Sequence, residues 1–263
     1  MKTYQRLVTL FLFLYLPFSS MAWGVLGHRI IGQIAEDYLT AKAKRNISAL
    51  LGGESLAMTS NWADFIKSDP SFNFLGPWHY INLKDGLSES EFDSYLETDN
   101  VTDLYTKLNF IVASLKKKEL PRDSAVLYLR LLIHLTGDLH QPMHVSRAGD
   151  QGGNKIDVFW FNEKTNLHRL WDEQLIGFQQ LSYTEYADYL HPIPKSTREK
   201  WQQTPVSTWF YESYSISQRL YSEIIAPDMR LSFRYNFDHI ATLNEQLQKG
   251  GVRLAKLLNE IFG

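Results

Sequence analysis

The chain has 263 residues, 27 basic against 29 acidic, a formal charge of −2, eight histidines and no cysteine. This balance excludes a broad cationic face, so a polyanion would have to be held by something local rather than by the many Lys and Arg contacts of sequence-independent nucleic-acid binding. The absence of cysteine excludes disulfides and thiolate metal sites, leaving packing or nitrogen- and oxygen-ligated metals as sources of stability.

Taken in chain order, Met1 to Ala22 carries Lys2 and Arg6, then the apolar run Leu7 to Leu16, then Ser19, Ser20 and Ala22. That order predicts a secretory signal peptide cleaved after Ala22. The run is much shorter than the roughly 18 residues of a membrane-spanning helix. The processed chain then starts at Trp23 and forms one domain over 23–263. Losing Lys2 and Arg6 leaves 25 basic against 29 acidic residues, a formal charge of −4. The expected product is a secreted or periplasmic protein, a monomer with no membrane association after processing; the missing cysteines point to a bacterial one. Asn46-Ile-Ser48 and Asn100-Val-Thr102 are sequons that can accept glycans in a eukaryotic secretory pathway.

Apolar residues from Ile30 to Leu51 recur at helical spacing until Gly52-Gly53. A short helix over about Ser60 to Lys67 ends near Asp69-Pro70. Ser88 to Glu97, Val101 to Lys117 and Asp123 to Leu139 repeat the helical pattern, with Asp123 read as an N-cap after Pro121. Between Gly152 and Leu170 the pattern predicts a hairpin, one strand over Ile156 to Phe161 and the other around Leu167 and Leu170, with Asn162 to Asn166 as the turn. Helices resume at Trp171 to Gln180, Ser182 to Leu190, Pro205 to Ile225 and His239 to Ile261. The expected fold is all-α, a mainly helical single domain with one small β-hairpin.

His134 and Asp138 stand four apart in the most apolar of these helices, so both emerge on one face, close enough to share a metal. His168 and Asp172 repeat the spacing. Pro142 should end the helix and turn His144 back beside it. Imidazole with carboxylate suits zinc. A single such histidine is more often a hydrogen-bonded core or surface residue; two His-x3-Asp pairs with His144 in one exported chain favour a metal site. His28, Asp64 and His79 are further candidates. Cleavage before Trp23 would create a free amine five residues before His28, and an amine with its own carbonyl can chelate a metal.

Trp23-Gly-x-x-Gly-His28, Trp62-Ala-Asp64, Trp78-His79-Tyr80, His134-x3-Asp138-x-His-Gln-Pro-x-His144, Gly152-Gly-Asn154 and Asn166-Leu-His168-x2-Trp-Asp172 together resemble the S-one/P-one nuclease family, within the superfamily that also holds bacterial zinc phospholipase C. The resemblance implies three zinc ions: one on Asp64, His79, His134 and Asp138, a second on His144, His168 and Asp172, and a third on the amine and carbonyl of Trp23, His28 and Asp138. It implies that Lys67 and Asn154 contact phosphate, and that Tyr80 and Asn82 line a base pocket. The activity implied is that of a secreted endonuclease and 3′-nucleotidase on single-stranded RNA and DNA. A zinc-activated hydroxide oriented by Asp64 would attack phosphorus and leave 5′-phosphates, with Lys67 offsetting phosphoryl charge. Family members often carry an acidic residue where Asn82 stands, and fungal and plant members have disulfides that this chain lacks. Two rival readings are a zinc phospholipase C and a non-catalytic zinc-binding protein of the cell envelope.

Overall fold

The computed structural model describes residues 23–263; the expected leader, Met1 to Ala22, lies outside them. The chain opens with helices α1 (Val25–Asp37), α2 (Ala41–Leu51), α3 (Leu56–Thr59) and α4 (Trp62–Phe65), followed by 3-10 turns over Ile66–Ser68 and Pro70–His79. Strand β1 (Ile81–Leu83) leads into α5 (Glu89–Thr98), α6 (Leu104–Lys117) and α7 (Arg122–Leu139). A 3-10 turn at Pro142–His144 precedes β2 (Val145–Arg147), β3 (Asp157–Trp160) and β4 (Glu163–Asn166). Helix α8 (Leu167–Arg169) runs through a π-helical segment, Leu170–Gln174, into α9 (Leu175–Phe178). Then come α10 (Tyr183–Leu190), α11 (Lys195–Gln203), α12 (Val206–Glu223), β5 (Met229–Leu231) and α13 (Phe233–Phe262).

Helix ends follow local chemistry. Thr40 caps α2 by accepting from Ala43 N–H at 3.2 Å, and Gly52 stops that helix in the left-handed region. Ser88 with Glu91, and Ser182 with Glu185, form capping boxes at α5 and α10. Helix α7 begins at Pro121 rather than at the expected Asp123 cap. The ring presets the entry dihedral, and Asp123 falls in the first turn, where its charge faces the positive end of the helix dipole.

Helix α7 is the axis of the molecule: from Leu131 to Leu139 every residue is buried, polar ones included. Helix α13 packs along α1, α2, α7 and α11, and α1 is enclosed by α3, α10 and α13. Apolar burial of this extent supplies most of the folding free energy.

The fold is mainly helical, as expected, but its strands differ from the expected single hairpin. β3 pairs antiparallel with β4, Asp157 opposite Asn166, around a two-residue turn in which Phe161 adopts φ 56°. The second strand therefore occupies what read as a turn, and Leu167 and Leu170 belong to helical segments. β4 is mostly exposed and polar, so alternation could not reveal it. β5 adds in parallel to β3, and β1 pairs in parallel with β2, Ile81 opposite Val145. These three-residue strands are specified by distant partners. Helix α11, also unforeseen, buries no residue, and α13 starts at Phe233, before the expected His239.

A buried polar knot ties α7, α12 and α13 together. Arg253, fully buried, donates to Glu212 at 2.9 and 3.0 Å and to His140 Nε2 at 3.1 Å. His140 Nδ1 donates to the Thr136 carbonyl at 2.8 Å, so its other nitrogen is the acceptor. Burial and the Arg253 charge hold the His140 pKa well below its ordinary value. This histidine is structural, not a metal ligand. Replacing Arg253 with Met leaves Glu212 with Lys249 alone and His140 Nε2 without its donor, and is expected to cost about 3 kcal/mol of stability in a urea titration.

Candidate metal centre

Eight side chains from six segments converge beside the buried face of α7. His134 and Asp138 come from α7 itself, His28 from α1 and Asp64 from α4. His79 ends the 3-10 run before β1, His144 ends the turn before β2, His168 lies in α8 and Asp172 in the π-helical segment. All eight are buried. Pro142 does terminate the helix at this point, with His140 as its last capping residue and His144 folded back.

Asp138 is the hub. Its Oδ1 lies 3.3 Å from His28 Nε2, and its Oδ2 lies 3.0 Å from His79 Nδ1 and 3.3 Å from His134 Nε2. His134 Nε2 is also 3.0 Å from His79 Nδ1 and 3.7 Å from Asp64 Oδ1. The His28 and His134 rings stack with centroids 4.0 Å apart. A second group forms around Asp172, whose Oδ2 is 3.1 Å from His168 Nε2 and whose Oδ1 is 3.8 Å from His144 Nε2. Three triads bring their ligand atoms within 4.8 Å of one another: His28, Asp64 and His134; His79, His134 and Asp138; His144, His168 and Asp172.

Main-chain carbonyls fix the imidazole tautomers. Nδ1 of His134 donates to Ser60 O at 2.7 Å, that of His144 to His79 O at 2.5 Å, and that of His168 to Gly152 O at 2.7 Å. A carbonyl can only accept, so each Nε2 is left with its lone pair pointing into the cluster. The β1–β2 pairing creates the second of these bonds, because Ile81 opposite Val145 sets His79 beside His144. Gly152, at φ 62°, creates the third: a Cβ there would collide with the Met143 carbonyl. Gly137 makes room for His28, since a Cβ there would sit 2.6 Å from the His28 Nδ1.

The donor set fits metal ions. His28 Nδ1 and Nε2, Asp64 Oδ2, His79 Nε2, Asp138 Oδ1, His144 Nε2 and His168 Nε2 are buried without a hydrogen-bond partner within the protein. Several such atoms at one place are costly unless something binds them. Nitrogen and carboxylate oxygen at this density are the ligands zinc takes. Burial favours neutral His134, yet Asp138 and Asp64 raise its pKa above the ordinary value. Against the same burial, Asp138 and Asp172 raise His144 to about 9. Burial pushes His79 down to about 4, although Asp138 opposes it. Asp138 stays ionised despite its burial, held well below the usual carboxylate range by His134 and His144. In the metal-free protein, then, a proton on His144 occupies the place of a cation.

The cluster opens on a cleft of about 570 Å³ through His79, His144 and His168. Lys67, Tyr80, Asn82 and Asn154 line the same cleft, so the sequence-derived phosphate and base contacts all face it. Lys67 Nζ also lies 2.6 Å from Asp64 Oδ1. Trp23 is fully buried, and the next residue, Gly24, donates its N–H to the Asp172 carbonyl at 2.8 Å, fastening the start of the described chain to the segment that bears Asp172.

Gln141 was not singled out in the sequence. Its amide donates a short hydrogen bond to Asp172 Oδ1, and its carbonyl oxygen accepts from Met143 N–H at 2.5 Å, so it orients one carboxylate while shaping the turn before His144. Its place between two candidate ligands, just before Pro142, was the available signal.

A helical protein that buries two joined histidine–carboxylate groups at the base of a nucleotide-sized cleft has the make-up of a metal-dependent hydrolase. The family description S1/P1 Nuclease matches residues 23–263. The chain belongs to that family and is a nuclease, hydrolysing phosphodiester bonds of nucleic acids. Among its relatives, Endonuclease 2 of Arabidopsis thaliana is 29% identical over 98% of this chain and 97% of that protein. Nuclease S1 of Aspergillus oryzae is 28% identical over 91% of both chains. Nuclease P1 of Penicillium citrinum is 27% identical over 92% of this chain and 98% of that protein. Family membership sets aside the phospholipase and the non-catalytic readings.

Two outcomes are expected. Zinc added to metal-free protein at pH 7 should displace a proton from His144, whose pKa, raised to about 9, keeps it protonated there; calorimetric heats would then vary with buffer ionisation enthalpy. Chelation should lower the thermal midpoint, with about 2.7 kcal/mol per site regained at free zinc about 100-fold above Kd.

Proposed function

We propose that this protein is an exported zinc-dependent endonuclease and 3′-nucleotidase that cuts single-stranded RNA and DNA to leave 5′-phosphates. The observation that carries this reading is the union of the two imidazole–carboxylate groups with Lys67, Asn154 and Tyr80 on one cleft. Asp64, His79, His134 and Asp138 would hold one ion, His144, His168 and Asp172 a second, and His28, Asp138 and the main-chain groups of a processed Trp23 a third. Bound zinc supplies Lewis acidity, lowering the pKa of water towards neutrality and offsetting charge on phosphoryl oxygens.

The chain's own groups supply the rest. Asp64 is ionised, since His134 and Lys67 lower its pKa against the effect of burial. Its buried Oδ2, with no partner in the protein, is available to ligate an ion, which would let the carboxylate orient an attacking water. Lys67, held by the other oxygen of that carboxylate, sets an ammonium at the cleft wall where phosphoryl charge builds. The Asn154 side chain is steadied by donation from its Nδ2 to Gln151 O at 2.8 Å and can offer the phosphate a polar contact.

Tyr80, 41% exposed, offers a ring face on which an unpaired base can stack, a mode that tolerates any base and demands an unpaired strand. Asn82 faces out between two buried neighbours on β1 and presents both a donor and an acceptor to a base edge. Signal cleavage after Ala22 is part of the same reading, because only processing frees the Trp23 amine.

The decisive experiment compares protein with a verified Trp23 terminus against protein that keeps one extra residue, measuring zinc content and cleavage of single- and double-stranded substrates. The extended form should lose one zinc and most activity; full activity there would refute the amine-ligand role. Lys67→Met should lower kcat about 100-fold with little change in KM, as expected for a contact that matters when charge develops.

A further inference from the structure

Among the described residues, six of the ten exposed large apolar side chains, Met58, Phe65, Phe74, Tyr80, Val101 and Phe110, lie between residues 58 and 110. That stretch also carries Asp64 and His79. Of the exposed rings, Phe74 belongs to a connected ladder that Lys107 extends to Phe110. Trp62 meets Phe72 edge-on with centroids 5.7 Å apart, Phe72 stacks on Phe74 at 6.2 Å, and Phe74 meets Trp78 at 5.7 Å. Lys107 Nζ then lies 5.1 Å from the Trp78 ring centroid and 5.6 Å from that of Phe110, joining α6 to the ladder.

A cluster that served packing alone would bury its rings. Here Phe65 is 54%, Phe74 53% and Phe110 47% exposed, while Leu75 between them is fully buried. Exposed apolar surface gathered in one place marks an interaction site, and Gly76 and Pro77, from the same run as Phe74, line the cleft. Nearby carboxylates are engaged locally: Asp69 accepts from Ser71, and Asp103 caps α6 through Thr106. The surface thus combines ring faces with a cation, which suits stacked bases on a phosphate backbone.

Continuity with the cleft identifies the occupant. Trp78 immediately precedes His79 and Tyr80, and Phe65 immediately follows Asp64. Phe74 stands five residues before His79 on a run of 3-10 turns, so about 10 Å of chain separates them at the usual rise, within reach of a few nucleotides. We propose that this aromatic ladder with Lys107 is an accessory track that binds the single-stranded nucleic acid flanking the bond being cut. The proposal rests on the single-strand reading above and assigns to Phe74 and Phe110 a role in holding longer substrates.

The test measures kcat and KM for a long oligodeoxythymidylate and for a thymidine dinucleotide, which is too short to leave the cleft. Phe74→Ala and Phe110→Ala should each raise KM for the long substrate about five-fold or more, leaving its kcat and both constants for the dinucleotide unchanged. Phe74→Trp should retain the wild-type KM, whereas Phe74→Leu should behave like Phe74→Ala, because a ring face and not apolar area is needed. Unchanged thermal midpoints would show that the variants fold. An unaltered KM for the long substrate, or an equal loss on both substrates, would overturn the proposal. Loss of dinucleotide cleavage in the wild type would instead count against the nuclease site itself.

Discussion

The ionised carboxylate of Asp138 at the centre of the helical core is the interaction on which the rest of the structure depends. A fully buried carboxylate is among the most costly groups a protein can hold unless opposite charge surrounds it. Here His134 and His144 supply that charge, and imidazoles from three parts of the chain, His28, His79 and His134, each lie within 3.3 Å of one of its two oxygens. Helix α1, the segment before β1, and α7 are each required to bring one of them in. Burying the C-terminal half of α7 and assembling the site are therefore the same event.

Around that centre the backbone does much of the orienting. The carbonyls of Ser60, His79 and Gly152 each take the Nδ1 proton of an imidazole, which leaves the Nε2 lone pairs aimed at one another and at the carboxylates. Such an array repels itself without cations. Protons can occupy it, in keeping with the raised pKa values of His134 and His144 in the metal-free protein. Metal ions can occupy it too, and chemistry at phosphorus follows from that second choice.

The same arrangement resolves the apparent conflict between acidic composition and a polyanionic substrate. With acidic residues in excess, the surface has little charge with which to collect phosphates over a wide area. On the proposed reading recognition would be concentrated instead: cations in the cluster, one lysine and one asparagine at the cleft wall, and aromatic surface where bases can lie. Binding through ring faces depends less on net charge than binding through phosphates, and it discriminates by strandedness rather than by sequence.

The sequence by itself determined the helical class, the termination of α7 by Pro142 and the pairing of His134 with Asp138 and of His168 with Asp172. Helical periodicity, the fixed dihedral of proline and the four-residue repeat act over a turn or two. It did not disclose β4 or β5, because a strand of three or four residues is specified by its partner and not by its own pattern. It did not disclose Gln141 as the orienting partner of Asp172, or His140 as a structural group held by Arg253. Those assignments depend on which side chains lie across an interface between distant segments. Only the tertiary structure decided that His28, Asp64 and His79 meet the α7 pair at all, because their closeness is set by packing of helices far apart in the chain and by no rule of spacing within it.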